Sequence, residues 1–479
     1  MSETRRFGLA ELLLLLIVLA VAAGARACYL CACADNANSD GPLQVQDARP
    51  PLALPPQTEL RGRPSPTELD ALVHNLKEYN WFGSLAPFAA VEERTAHTSP
   101  GYPWLLALLA RAPLDLGPTD RTARWIQCGL GSLTAGLYFL FALAAFRSRL
   151  VALLAGLLGA LHPFWIINTA EIDDGVLATF LLAVVLFLGA HAGQSGGALT
   201  SLLYGLALAG LALVRAALLP FAFVAVIWFL LRCRSLRGGW LYALVGFLGF
   251  LIGVAPWTLR NWQAFGDLIP IADSTYLHLW IGNNPKATGG PMNPQALREA
   301  LAESRKEEPS VAEAELARIG NQRRRYAQLG YDVGQEIRDH PAETLRRRLW
   351  ALLDFFFGEK WFKDGTLAQR ESGRELPAWL DNLYPTYFSA TLLGMLLLGA
   401  LGWRWTYAWR REAALAALAL VWCVLPYVLS HAEELSGPRL PLDGVLLTYA
   451  AFALAGLLPG VGARLRAGPP EGRPAEGPV

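Results

Sequence analysis

The chain has 479 residues, of which 53% are hydrophobic and only 17% charged. Soluble proteins carry about a quarter charged residues, whereas here the charges cluster and leave runs of about 20 residues with almost none, enough to cross bilayer hydrocarbon. The formal net charge of +1 excludes the broad basic field that nucleic-acid binding requires, so no nucleic-acid partner is expected.

In chain order, the first apolar run, Leu9 to Ala23, follows Arg5 and Arg6. No small-x-small cleavage site follows it and several further spans do, so it is expected to be a retained helix entering from the cytoplasm. Cys28, Cys31 and Cys33 come next. Arg26 interrupts the small-residue approach of a lipoprotein site at Cys28, and no matching His or Cys group stands nearby to complete a metal centre. Residues 35–66 are rich in Pro, Asn, Asp and Gly and read as irregular. From Ser65 the pattern changes: Ser65 or Thr67 can cap, Pro66 suits a first turn, and Leu69, Leu72, Val73, Leu76 and Tyr79 recur at helical spacing. This is an amphipathic helix expected on the membrane.

Ten spans are expected, near residues 8–25, 125–146, 150–168, 175–193, 198–214, 216–232, 239–257, 386–403, 413–430 and 441–460. The apolar pieces 103–112 and 347–357 are too short to cross alone and read as interfacial or re-entrant. Residues 294–345 read as helices dense in Glu and Arg, and the Pro/Gly-rich tail after 462 as disordered. Ten spans place five arginine groups on one side: Arg5 and Arg6; Arg147 and Arg149; Arg232, Arg234 and Arg237; Arg404, Arg410 and Arg411; Arg464 and Arg466. By the positive-inside rule that side is the cytoplasm, with both termini there. The expected class is therefore an all-α polytopic membrane protein of the plasma (inner) membrane. Its units are a first helix (1–25), an outer loop (26–124), a six-helix core (125–257), a second outer region (258–385), three C-terminal helices (386–461) and a cytoplasmic tail (462–479).

Groups that could carry chemistry lie at span ends. Glu171, Asp173 and Asp174 sit where the third span turns into the fourth; they suit either a wet turn capping a helix or a polar site. Glu68 and Asp70 flank the apolar stripe of the helix at 66–79, with His74 one turn beyond Asp70. Arg260 closes the seventh span within Pro256-Trp257-Thr258-Leu259-Arg260-Asn261. Arg215 lies between two spans with no polar spacer, which is costly unless the side chain snorkels or meets an anion. Arg439 follows Gly437-Pro438. Several such arginines on one face could grip phosphate bidentately. The stretch Trp280-Ile281-Gly282-Asn283-Asn284-Pro285-Lys286-Ala287-Thr288-Gly289 reads as a loop whose amides suit carbohydrate or phosphate, or as a plain tight turn.

These residues, taken in order, resemble the integral membrane glycosyltransferases of the GT-C fold, and within them the bacterial glycosyltransferase family 39 group, relatives of protein mannosyltransferases and of the aminoarabinose transferase of lipid A. The resemblance runs from about residue 66 to 455. It rests on Thr95-Ala96-His97-Thr98-Ser99-Pro100-Gly101-Tyr102-Pro103-Trp104, His162-Pro163, Asp174 before Leu177 and Phe180, Arg215, the Pro256–Asn261 motif, Trp280–Pro285 and Arg439-Leu440-Pro441. It implies a sugar donor on polyprenyl phosphate, taken from the extracytoplasmic leaflet, and a lipid, glycan or protein acceptor. It implies a catalytic acid in the first outer loop and a second acid matched by Asp174. The first-loop acid of the family falls near Ser65, so Asp70, or else Glu68, must replace it here. In this reading Asp70 is the favoured base, Asp174 orients the acceptor, and Arg260, Arg439 and Lys286 hold phosphate. Glu171, Asp173, His97, Tyr102, Arg215, Asn261, Asn283 and Asn284 line the substrates. No metal or cofactor is required, although a divalent cation between the acidic loops fits the pattern. The competing readings are a transporter or lipid flippase, for which Arg215 is the one argument, and a membrane scaffold without activity.

Overall fold

The computed structural model describes residues 8–34, 66–85, 88–89, 92–111, 119–234, 236–290, 292, 294–319, 321–357, 378–406, 413–431 and 439–467. The stretch 35–65, which includes Ser65, the arginines Arg5, Arg6, Arg410 and Arg411, the Cys33 side chain and the tail after 467 lie outside those residues. Among the described residues the only strands are Gly83–Ser84 and Glu93–Arg94, paired antiparallel; the other elements are helices.

Among the described residues, six helical stretches are long and apolar enough to cross a membrane: Leu9–Cys31, Arg121–Phe146, Gly175–Ser195, Ala216–Cys233, Gly239–Phe265 and Leu440–Leu457. The chain is a helical membrane protein. The four remaining spans expected from sequence are present as shorter apolar helices, Arg149–Ala160, Ala198–Val214, Ala390–Trp405 and Ala414–Leu429. Two of them have a visible local cause. The helix from Arg149 stops at Ala160 because Pro163 cannot continue it, and a new helix, Pro163–Asn168, starts with that proline in its first turn. The helix from Ala414 breaks after Trp422 and resumes at Leu425–Leu429, again around a proline, Pro426.

We number the elements that position the site α1 (Leu9–Ala34), α2 (Pro66–Tyr79), α3 (Gly101–Arg111), α4 (Thr119–Phe146), α5 (Arg149–Ala160), α6 (Pro163–Asn168), α7 (Gly175–Ser195), α8 (Ala198–Val214), α9 (Leu219–Cys233) and α10 (Gly239–Phe265). Two polar ties fix α1 parallel to α5. Arg149 grips Glu11 at 2.6 Å at one end, and buried Arg26 donates to the carbonyls of Gly159 and Ala160 at the other. A cation at the end of α5 satisfies carbonyls that no later turn can reach. Helices α8 and α10 meet along a seam of small residues. A Cβ on Gly205 would lie 1.9 Å from the Gly246 carbonyl, and one on Gly249 would lie 2.7 Å from that of Leu202. Such close backbone approach is how helices associate where lipid removes the hydrophobic driving force.

Beyond the bundle, α2 buries Leu69, Leu72 and Leu76 and packs on α3 and α4, where Leu69 joins Tyr102, Leu106 and Ala123. A second core is built by the helices Thr275–Gly282 (α11), Pro294–Arg305 (α12), Pro309–Arg318 (α13) and Gln322–Asp339 (α14), around Trp280, Leu297, Leu301, Leu316, Tyr326 and Leu329. This corrects one expectation: Trp280, Ile281 and Gly282 are the last turn of α11, and the loop begins only at Asn283. Leu277, Trp280 and Ile281 bury one helical face, and that periodicity outweighs the turn signals that follow. Pro341–Phe357 (α15) leaves Leu345, Leu349, Trp350 and Leu353 exposed, the face of an interfacial helix. The C-terminal bundle comprises Ala378–Trp405 (α16), Ala414–Trp422 (α17), Leu425–Leu429 (α18) and Leu440–Leu457 (α19).

Candidate functional site

The segment Thr95–Gly101, between the small ladder and α3, is the hub of the site, and its residues reach several different elements. Thr95 donates through Oγ1 to Gln322 Oε1 at 2.9 Å, and its carbonyl accepts from Arg260 Nη1 at 2.9 Å. The carbonyl of Ala96 accepts from the Asp273 amide at 2.8 Å. His97 Nδ1 lies 3.2 Å from the Tyr326 hydroxyl. Thr98 donates to Glu68 Oε1 at 3.0 Å. Ser99 Oγ accepts the Ala216 amide at 2.9 Å. Gly101 touches the end of α8 so closely that a Cβ there would sit 2.7 Å from Val214 Cγ2 and 2.9 Å from its backbone.

Adjacent hydroxyls thus tie the two acids together. Thr98 holds Glu68, while Ser99 holds the backbone beside Arg215. Arg215 in turn forms a two-point pair with Asp174, Nε to Oδ2 at 3.0 Å and Nη2 to Oδ1 at 2.5 Å. Neither partner is in open water, at 8% and 18% side-chain exposure, so the fork geometry carries its full directional value. Asp173 acts locally instead, accepting the Gly175 amide at 2.7 Å and the Asn168 side-chain amide at 3.1 Å, which ties down the start of α7. Glu171 contributes its carbonyl to Gln127 at 2.8 Å; the same glutamine accepts from the Tyr102 hydroxyl at 2.8 Å. On α2, Glu68 faces inward, also within 3.5 Å of Ser84 Oγ, whereas Asp70 is exposed.

The candidate phosphate residues are spread along this rim. Arg260 directs its donors to protein carbonyls, those of Thr95 and, at 2.6 Å, Phe82, and lies over the Trp257 ring 4.8 Å from its centroid. Asn261, fully buried, donates to the carbonyls of Ile269 and Ile271. Asn283 and Asn284 turn back on the last turn of α11, donating to the Leu279 and Trp280 carbonyls. Lys286 pairs with Glu299 at 2.8 Å. Arg439, buried, pairs with Asp443 at 2.9 Å and donates to the Phe356 carbonyl at 2.8 Å; Asp443 also lies 2.9 Å from His162 Nε2. Arg260, Arg439 and the three asparagines therefore hold the frame of the site together.

Sequence reasoning singles out His97 but misses the residues it meets and several others. His97, His278 and His431 meet: the first two rings stack at 6.2 Å, and His278 Nδ1 lies 3.1 Å from His431 Nε2. Burial lowers the pKa of His97, and burial together with its two histidine neighbours holds His278 well below the usual range. Asp273 has a buried carboxylate oxygen with no hydrogen-bond partner, and burial pushes its pKa up to about 6. Arg348 pins the Ser430 carbonyl at 2.5 Å and that of Gly282. Asp443, a carboxylate within an apolar span, is the one of these with a sequence signal; the others depend on contacts between segments distant in the chain.

Among the described residues, no three His, Cys, Asp or Glu side chains gather as a metal site. The acidic turn does not fit a cation, because Asp174 faces a guanidinium and Asp173 an amide and a carboxamide.

No protein-family model matches the chain, and no curated protein matches it by sequence. Solved structures do match in outline. The apo oligosaccharyltransferase of Archaeoglobus fulgidus is similar over 95% of this chain and 51% of that one, at 13% identity and a TM-score of 0.48. Archaeal oligosaccharyltransferase AglB from the same organism, in complex with an inhibitory peptide and a dolichol-phosphate, matches at 14% identity over 92% and 50%, with a TM-score of 0.48. The form tethered to an acceptor peptide containing the NVT sequon gives 14%, 97%, 52% and 0.49. The chain spans about half the length of these proteins. Identity this low carries no residue-by-residue correspondence.

Proposed function

We propose that the chain is a GT-C-type membrane glycosyltransferase, moving a sugar from a polyprenyl-phosphate donor to an acceptor hydroxyl or amine with inversion. Placement in the bacterial family 39 group belongs to the same proposal. The observation that carries it is the Thr98–Ser99 bracket, which joins a half-buried carboxylate on α2 to the Asp174–Arg215 pair at the ends of α7 and α8. Such transfer needs a base at the acceptor and fixed dipoles where charge develops. Glu68 is the base: its carboxylate accepts from Thr98 and Ser84, and each of these bonds orients it. Asp70, exposed on the same helix, is the second choice. Asp174, held rigid by Arg215, orients the acceptor. The Arg215 guanidinium is the group offered to the leaving phosphate; the Asn283 and Lys286 amides are bonded within their own segment. A lipid-borne donor stays at the membrane face, and the ends of α7, α8 and α10 converge at one such face. We assign it to the extracytoplasmic side of the plasma membrane, with both termini in the cytoplasm. No step is routed through a metal.

The test is transfer from a radiolabelled polyprenyl-phosphate sugar by the purified chain in lipid nanodiscs. Product formation that depends on Glu68 supports the reading. A chain that moves intact donor lipid between leaflets without transfer would favour the flippase alternative.

A further inference from the structure

Far from the Asp174 end, α16, α17 and α19 border an open cavity of about 610 Å³ lined by Ala400, Trp403, Arg404, Thr406, Ala413, Ala417 and Tyr449. Its depth follows from α19. Leu440 at the start of that helix lies against Gly175, beside Asp173, and Tyr449 is nine residues further on, about 13 Å away at 1.5 Å per residue. Trp405, next to Arg404, packs on Gly456, sixteen residues beyond Leu440 or about 24 Å along the same helix, so the Arg404 side of the cavity lies in the leaflet opposite the candidate site. Its lining is apolar apart from the Arg404 guanidinium, the Thr406 hydroxyl and the Tyr449 hydroxyl, and the latter two have internal acceptors, the carbonyls of Trp403 and Ala413.

Three observations say what fills it. The volume lies within the roughly 300–1,000 Å³ typical of ligand sites. The helices around the mouth expose Leu397, Trp403, Val421 and Leu457, which face hydrocarbon, so acyl chains are the medium at the entrance. Arg404 is exposed at the last turn of α16 and, among the described residues, its side chain has no hydrogen-bond or ion-pair partner. A cation between hydrocarbon and water finds its counter-charge in a lipid phosphate. Apolar walls that meet no partner atoms forfeit dispersion contacts that a methylene chain restores.

We propose that this cavity is a binding site for one anionic phospholipid, with an acyl chain between Ala400, Ala417 and Tyr449 and its phosphate on Arg404. Bound lipid touches α16, α17 and α19 at once, and steadies the helix whose other end carries Arg439 and Asp443. The proposal is independent of the glycosyltransferase reading.

Native mass spectrometry of the detergent-purified full chain, titrated with phosphatidylglycerol or phosphatidylcholine, tests it. The wild type is expected to hold one phosphatidylglycerol about tenfold more tightly than phosphatidylcholine. Ala417→Trp, which fills the cavity, should abolish the tight site. Arg404→Gln, on the surface and harmless to packing, should erase the preference between headgroups while leaving weak binding of both. Unchanged lipid binding by Ala417→Trp, or equal affinity of the wild type for the two lipids, would overturn the proposal. Ala400→Leu fills the same space more gently and decides the matter if the tryptophan variant does not fold.

Discussion

Glu68 and Asp70 are two residues apart on one helix, yet one accepts a threonine hydroxyl and the other faces solvent. Glu68→Gln keeps the shape and removes the base, so transfer should fall by about 10²–10⁴-fold, the usual contribution of a general base. Asp70→Asn should leave activity within a few-fold in the same nanodisc assay. Asp174 and Arg215 form a tightly paired unit, and removing one partner strands the other; each single alanine variant should cost about 3 kcal/mol of stability or more. The double variant should cost less than the sum of the two, and a double-mutant cycle on detergent melting midpoints measures that coupling. The second core and its border carry opposing pH responses. His278 is held well below its ordinary value of 6.5, so the unfolded chain binds more protons and stability is lost as pH falls below that value. Asp273 is raised from 3.8 to about 6, so its protonated form favours folding at low pH and that contribution disappears as pH rises through about 6. Asp273→Asn should therefore flatten the alkaline limb of the melting profile and His278→Gln the acid limb. Profiles that neither substitution alters would show that other groups set the pH response.

Among the elements, the junction of α3 with α8 is the most exacting. Gly101 lies against the backbone of Val214, next to Arg215. Gly101→Ala must push these apart by several tenths of an ångström, a strain of about 1–3 kcal/mol in a packed site. The Asp174–Arg215 pair would shift away from Glu68. Transfer should drop at least tenfold while the protein still inserts and purifies as a single species; normal activity in that variant would mean that the two acids act independently. Ser99→Ala removes the acceptor for the Ala216 amide and should produce a milder loss of the same kind. The stretch from Thr95 to Trp104 is legible as a motif in the sequence, but its role is not. The hydroxyls that matter are defined by partners on α2 and after α8, and no local spacing encodes a contact across 117 residues.

At the scale of the molecule, hydrophobic run length is a strong signal, because backbone in hydrocarbon must bond to itself and helices follow. All ten apolar segments read from sequence have helical counterparts, six of full spanning length and four short. The breaks at Pro163 and Pro426 are hard to see beforehand because both cut helices whose composition looks continuous. Arginines are harder to interpret. Arg260 and Arg439 stand where exposed phosphate ligands would stand, yet their donors meet the carbonyls of Phe82, Thr95 and Phe356. A guanidinium with five donors serves as a frame as readily as a ligand, and only its neighbours distinguish the two roles. Orientation is testable on the intact chain: single cysteines at Asp70 and Leu268 should react with a membrane-impermeant maleimide from outside the cell, and one at Arg404 only after permeabilisation.

Glu68 and the Asp174–Arg215 pair, acting as one catalytic unit, are the centre of the proposed function. The most direct measurement is sugar transfer from a labelled polyprenyl-phosphate donor by purified wild type, Glu68→Gln and Asp174→Asn chains, each verified as folded in nanodiscs. The wild type should give product, and either variant should lose at least a hundredfold. Equal turnover by all three, or wild-type turnover by the Glu68→Gln chain alone, would contradict the assignment.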